Sequence, residues 1–187
     1  MTTNSVVTGS LSAIAQRDGL SLAESMLNVE IILLIDSSGS MAANDSRGGN
    51  SRWDVAVDEL TQLQRDHPGK IGVVSFSSDV EFAPSGIPPF LGGGTDLTAG
   101  LHFVHQFDGT VRFIVISDGS PDDERSALAE AATFNSSIST VYCGPEDERS
   151  GMLFLERLAK VAGGQSVNAD RAMELAKKVE TLFLVGK

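Results

Sequence analysis

The run Val29-Glu30-Ile31-Ile32-Leu33-Leu34-Ile35, closed by Asp36, constrains the chain more than any other segment. It is too short for a typical buried helix and too rich in β-branched and aliphatic residues to alternate between core and water. Such a run fits a strand covered on both faces, the signature of a parallel sheet between two layers of helices. Ile71 to Phe76 and Val111 to Ser117 repeat the pattern, and the latter again delivers an aspartate, Asp118.

Between these runs the apolar spacing changes to that of a helix. Val55, Ala56, Leu60 and Leu63 share one face, and His67-Pro68-Gly69 stops the segment. Further helices are expected over 97–107, 123–134, 152–161 and 170–184, the last burying Met173, Ala176, Val179 and Leu182. Val80-Glu81-Phe82 alternates and turns back through Ser77-Ser78-Asp79, so it reads as a short edge strand. Ile138 to Cys143 is a further strand, and Gln165 to Asn168 a last short one after the helix stop Gly163-Gly164. Strands alternating with helices require right-handed crossovers. The expected fold class is therefore α/β: a doubly wound (Rossmann-like), mostly parallel sheet with one short antiparallel edge strand and helices on both faces.

Residues 1–28 read as a separate N-terminal helical segment before a domain spanning 29–187. Leu11, Ile14 and Ala15, then Leu22, Ala23, Met26 and Leu27, have helical spacing, with Ser21 and Glu24 forming a capping box. Two short helices packed on the domain is one reading, and a docking segment for a partner is the other.

In open sheets of this class, ligands bind beyond the carboxyl ends of the strands. Three loops there present small oxygen ligands: Asp36-Ser37-Ser38-Gly39-Ser40, Gly92-Gly93-Gly94-Thr95-Asp96, and Asp118-Gly119-Ser120. Hydroxyls with one or two carboxylates suit a hard cation such as Mg²⁺. Thiolate and imidazole are missing from these loops, which argues against zinc or copper. Taken alone, Asp36 could be a turn residue and Ser38 and Ser40 caps of the next helix.

These residues resemble the von Willebrand factor A family. Asp36 to Ser40 matches its Asp-x-Ser-x-Ser motif, Gly93-Gly94-Thr95-Asp96 its threonine loop, and Ile116-Ser117-Asp118-Gly119 its third loop, in that order. The resemblance runs from about Val29 to the C-terminus and is to microbial or phage cytoplasmic members. It implies a metal-ion-dependent adhesion site for Mg²⁺ or Mn²⁺. Ser38, Ser40 and Thr95 would be inner ligands, with Asp36 and Asp118 close behind. An Asp or Glu of a partner protein would complete the coordination, as in a binding module without catalysis. The resemblance further suggests an AAA+ ATPase or an assembly subunit as partner.

Other function classes find less support. The net charge of −11, from 25 acidic and 14 basic residues, repels phosphate backbones and excludes nucleic acid as an expected ligand. No apolar run reaches the roughly 20 residues of a membrane span. The polar start and the single Cys143 suit a cytoplasmic protein. A Mg²⁺-dependent phosphatase of haloacid-dehalogenase type would use Asp36 as nucleophile but needs a second aspartate where Ser38 stands. A structural subunit of a larger assembly is a third alternative. The polar stretch Ala42 to Ser51 reads either as a specificity loop or as a disordered connection. His102 and His105 lack an evident third ligand and read as a solvated face; Trp53 reads as packing or as a contact at the binding face.

Overall fold

In the computed structural model of the chain, residues 6–184 are described. The strands are β1 (Ile31–Asp36), β2 (Ile71–Phe76), β3 (Val80–Phe82), β4 (Arg112–Ser117), β5 (Ile138–Tyr142) and β6 (Gly163–Asn168). They form one six-stranded sheet in the order β3-β2-β1-β4-β5-β6. Every pairing is parallel except that of β2 with β3. The helices are α1 (Leu11–Asp18), α2 (Leu22–Met26), α3 (Arg52–Asp66), α4 (Leu97–Val104), α5 (Glu124–Ala131), α6 (Arg149–Val161) and α7 (Leu175–Leu184).

The alternation of side chains along β1 builds two cores from one strand. Ile31, Leu33 and Ile35 pack with α3 and α7 through Val55, Leu60, Leu63 and Val179. Ile32 and Leu34 face the opposite layer, where α4 and α6 supply Leu101, Val104, Phe154 and Leu158. This is why the β1 run carries no polar side chain after Glu30 until Asp36.

The N-terminal helices lie against the same body. Val7 N–H donates to Ser85 O at 2.9 Å, Ser12 N–H to Pro84 O at 2.9 Å, and Gly69 N–H to Gly9 O at 2.8 Å. Leu11 is buried with the α4 and α6 layer, and the Ser21–Glu24 capping box forms.

Several element boundaries differ from the sequence reading, among them the start of α6 at Arg149 rather than Met152. The helix after Thr95 is α-helical only to Val104 and finishes as a 3₁₀ turn, His105–Phe107. α5 ends three residues short of Phe134, whose ring instead packs edge-on against Phe113. Gly163 and Gly164 belong to β6 because a Cβ at Gly164 would stand 2.1 Å from Ile138 O. α7 starts at Leu175 because Arg171, Ala172 and Glu174 hold left-handed backbone, with φ of 45°, 66° and 59°. Its buried face is therefore Leu175, Val179 and Leu182, and Met173 lies outside the helix.

β1 is flanked by β2 on one side and β4 on the other, so the chain winds outward in both directions from it. Asp36 ends β1 and Asp118 directly follows β4, so both lie at the carboxyl edge of the sheet, at the switch point where folds of this class bind ligands. Among the described residues, no helix is long and apolar enough to cross a membrane.

Candidate metal centre

β1 delivers Asp36 fully buried. Its Oδ1 accepts the Ser38 N–H at 2.8 Å, and its Oδ2 accepts the Ser117 hydroxyl at 2.6 Å. Ser117 Oγ in turn accepts the Gly119 N–H at 2.9 Å. One carboxylate thus shapes both the loop after β1 and the loop after β4. Ser37 is turned elsewhere, since its hydroxyl donates to Phe76 O at 3.0 Å.

The chain then enters a 3₁₀ turn, Gly39–Ala42. The hydroxyls of Ser38 and Ser40 come together, with their Oγ atoms 3.1 Å apart. Two residues apart in a tight turn, they point to one side.

The threonine loop is tied to both of its neighbours. Gly92 N–H donates to Ser37 O at 2.9 Å, and Gly39 N–H to Gly93 O at 3.2 Å. On the other side, Thr95 N–H donates to Asp122 Oδ2 at 3.0 Å, and Asp122 N–H to Thr95 O at 3.0 Å. A Cβ at Gly94 would lie 2.6 Å from Asp122 Oδ2, so a larger residue would push that carboxylate away from the Thr95 N–H. Thr95 is buried between the two loops. Asp96, next in the motif, caps α4 by accepting the Ala99 N–H at 2.9 Å.

Asp118 is 4% exposed. Its Oδ2 receives Nη1 of Arg52 at 3.3 Å. Its Oδ1 is buried and has no hydrogen-bond partner among the described residues. A buried carboxylate oxygen without a partner costs about 1–3 kcal/mol or more, so such atoms mark places where a ligand, ion or water belongs. Two paired hydroxyls, a second carboxylate and this free oxygen form a donor set that fits a hard divalent cation. Among the described residues, no group of three or more His, Cys, Asp or Glu side chains is arranged to hold a metal.

Burial pushes the Asp36 carboxyl up from 3.8 to about 6. The hydrogen bonds from Ser117 and Ser38 pull it down, while the charge of Asp118 adds to the rise. The folded chain therefore binds this proton more tightly than the unfolded chain. Stability falls as pH rises from about 4 to about 6, and above that the full cost, about 3 kcal/mol as an upper figure, is present. We predict that chelator-treated protein loses stability across this window, and that Asp36→Asn flattens the change. Urea unfolding at pH 4.5 and 7.5 measures it; an equal slope in the two proteins would contradict the assignment.

The sequence reading missed three contributors. Ser117 stands in the third-loop match but carries no role there, whereas in the structure it bridges Asp36 and Gly119. Asp122 is the second: Asp123 caps α5, accepting the Ser126 N–H at 3.0 Å, while its neighbour Asp122 holds Thr95 instead. Arg52 carried one available signal: a cation in the first turn of a helix opposes the helix dipole and needs compensation. Asp45 supplies part of it, taking Nε and Nη2 of Arg52 at 2.9 and 2.8 Å.

The stretch from Ala42 to Ser51 is accordingly held, contrary to a disordered connection. Arg52 N–H donates to Ala43 O at 3.1 Å, and the Ser46 hydroxyl donates to Arg171 O. Trp53 packs in the core with its ring edge-on to Phe90, centroids 5.4 Å apart, and it is Phe90, 45% exposed, that presents an aromatic face to solvent. His102 is solvated, as expected, whereas His105 is half-buried, 3.0 Å from Glu130 and stacked on Phe134. Cys143 lies buried beneath the site, 3.7 Å from the Met41 sulfur. Its thiol is pushed well up by burial, with the charges of Asp118 and Asp36 adding to the rise, and so stays neutral.

No protein-family model matches the sequence, and no curated protein matches it. Solved structures do. An aerotolerance-related membrane protein from Bacteroides fragilis superposes with a TM-score of 0.65 at 18% identity, covering 82% of this chain and 98% of that one. A von Willebrand factor type A protein from Catenulispora acidiphila gives 0.54 at 16% identity, over 82% of this chain and 42% of that one. The manganese-loaded TRAP protein of Plasmodium vivax gives 0.53 at 19% identity, over 83% and 72%. At these identities the likeness speaks for the fold. The strand order, the single antiparallel edge and these superpositions together give the chain the von Willebrand factor A fold.

Proposed function

We propose that this chain is a divalent-cation-dependent protein-interaction module. Ser38, Ser40 and Thr95 bind Mg²⁺ or Mn²⁺ directly, and Asp36 and Asp118 stand behind them, acting through water. The observation that carries this reading is the buried, partnerless Oδ1 of Asp118, on the loop that Asp36 ties to the one carrying the paired hydroxyls of Ser38 and Ser40. When bound, the cation supplies a coordination position that an Asp or Glu of the partner fills. The protein's own part is to keep that centre rigid and buried on all sides but one. A manganese-loaded neighbour of the same fold agrees with the choice of ion.

The partner is a protein, and the family likeness of the three loops points to an AAA+ ATPase or an assembly subunit. The single, buried Cys143 suits a reducing compartment, and we place the module in the cytoplasm.

The phosphatase alternative loses ground on geometry. A nucleophilic Asp36 would need a free, accessible oxygen, but both of its oxygens accept protein hydrogen bonds and the residue is fully buried. The reading of a pure interaction module is tested by capture of partners on the immobilised chain. Proteins held in Mg²⁺ are expected to be released by EDTA and lost from Thr95→Ala. Capture indifferent to both would place the interface elsewhere.

A further inference from the structure

Asp36 ends β1 and Asp118 directly follows the adjacent β4, both are buried, and the cation that touches Asp118 is a side chain. Arg52 is 7% exposed at the first position of α3. Its Nη1 reaches Asp118 Oδ2 at 3.3 Å, and its other edge forks onto Asp45. Asp45 also lies 3.5 Å from Nε of Arg171, whose carbonyl accepts the Ser46 hydroxyl. A buried guanidinium with this planar fork has little freedom left.

We propose that Arg52 is the internal counter-ion of the centre: it holds Asp118 in position with one oxygen left free, and through Asp45 it fastens the 43–51 loop to the same point. It is a positioning residue, and its role rests on the function proposed above. Because Arg52 neutralises Asp118 in part, it holds these loops together without a divalent ion and at the same time weakens the attraction for one.

The test uses the full chain with Arg52→Gln, Arg52→Lys and Asp45→Asn. The readouts are melting temperature after chelation, amide hydrogen exchange over 43–51 and 117–120, and Mg²⁺ titration calorimetry. Arg52→Gln is expected to lower the chelated melting temperature by about 6–10 °C and to speed exchange in both segments. It should bind Mg²⁺ about tenfold more tightly, with the ion recovering most of the lost stability. Asp45→Asn should loosen only 43–51. Unchanged exchange over 117–120, or Mg²⁺ bound no more tightly, in Arg52→Gln would overturn the proposal. Should that variant not fold, Arg52→Lys decides, since it keeps the charge and loses the fork: loosening of 43–51 with Mg²⁺ affinity retained supports the role, and no loosening overturns it. A wild-type chain that takes up no Mg²⁺ would defeat the functional reading, while the exchange and stability of Arg52→Gln would still decide whether Arg52 holds Asp118.

Discussion

Replacing both Ser38 and Ser40 with alanine is expected to abolish the rise in melting temperature that Mg²⁺ or Mn²⁺ should give the unaltered chain. The two hydroxyls are 3.1 Å apart and belong to one short turn, so a single ion engages both. An ion at about a hundred times its dissociation constant stabilises the fold by about 2.7 kcal/mol. For a domain of this length that corresponds to about 5–10 °C. Neither hydroxyl carries the fold: the turn is set by the Ser38 N–H on Asp36 and by backbone bonds, which alanine preserves. The double variant should therefore melt near the chelated wild type and ignore added ion. Differential scanning calorimetry with EDTA and with each ion reads it out. A double variant that responds to Mg²⁺ as the wild type does would remove these serines from the site.

Gly119→Ala has the largest expected effect on the fold of the loop itself. Gly119 holds φ of +82°, and a Cβ there would stand 2.3 Å from Gly151 O in the first turn of α6. Left-handed backbone costs a non-glycine residue about 1–2 kcal/mol. The collision with main chain adds about 1–3 kcal/mol, because α6 must move as a unit. Gly109 is the control, with φ of +78° and nothing within 4 Å of an added Cβ. Gly109→Ala should cost about 1–2 kcal/mol from backbone strain alone, and Gly119→Ala distinctly more. Since the Gly119 N–H rests on Ser117 Oγ, the movement also displaces Asp118, and ion binding should weaken together with stability. Equal losses in the two variants by urea unfolding would contradict the close packing of α6 on this loop.

The layered sheet was legible because β1, β2 and β4 are apolar on both faces, and only a parallel sheet between helices makes use of that. The gathering of Asp36, Ser38 and Ser40 was legible because a turn brings residues two apart together, a local matter. Arg52 was not, because its partner Asp118 lies 66 positions away and nothing in the spacing of either residue announces the other. Asp122 was not legible for a related reason: it stands among acidic residues that favour a helix start, and its bond to Thr95 crosses 27 positions. The start of α7 was misplaced because periodicity reports which face is apolar, not whether the backbone is right-handed. At Arg171, Ala172 and Glu174 it is not.

The central claim is that three loops, after β1, before α4 and after β4, converge on one hard cation. Crystals grown with Mn²⁺ and measured for anomalous scattering test it directly. The account predicts one strong peak about 2.1–2.2 Å from the Oγ atoms of Ser38 and Ser40, with the Thr95 hydroxyl and Asp118 in its immediate surroundings. A peak elsewhere on the molecule, or none at saturating Mn²⁺, would contradict it.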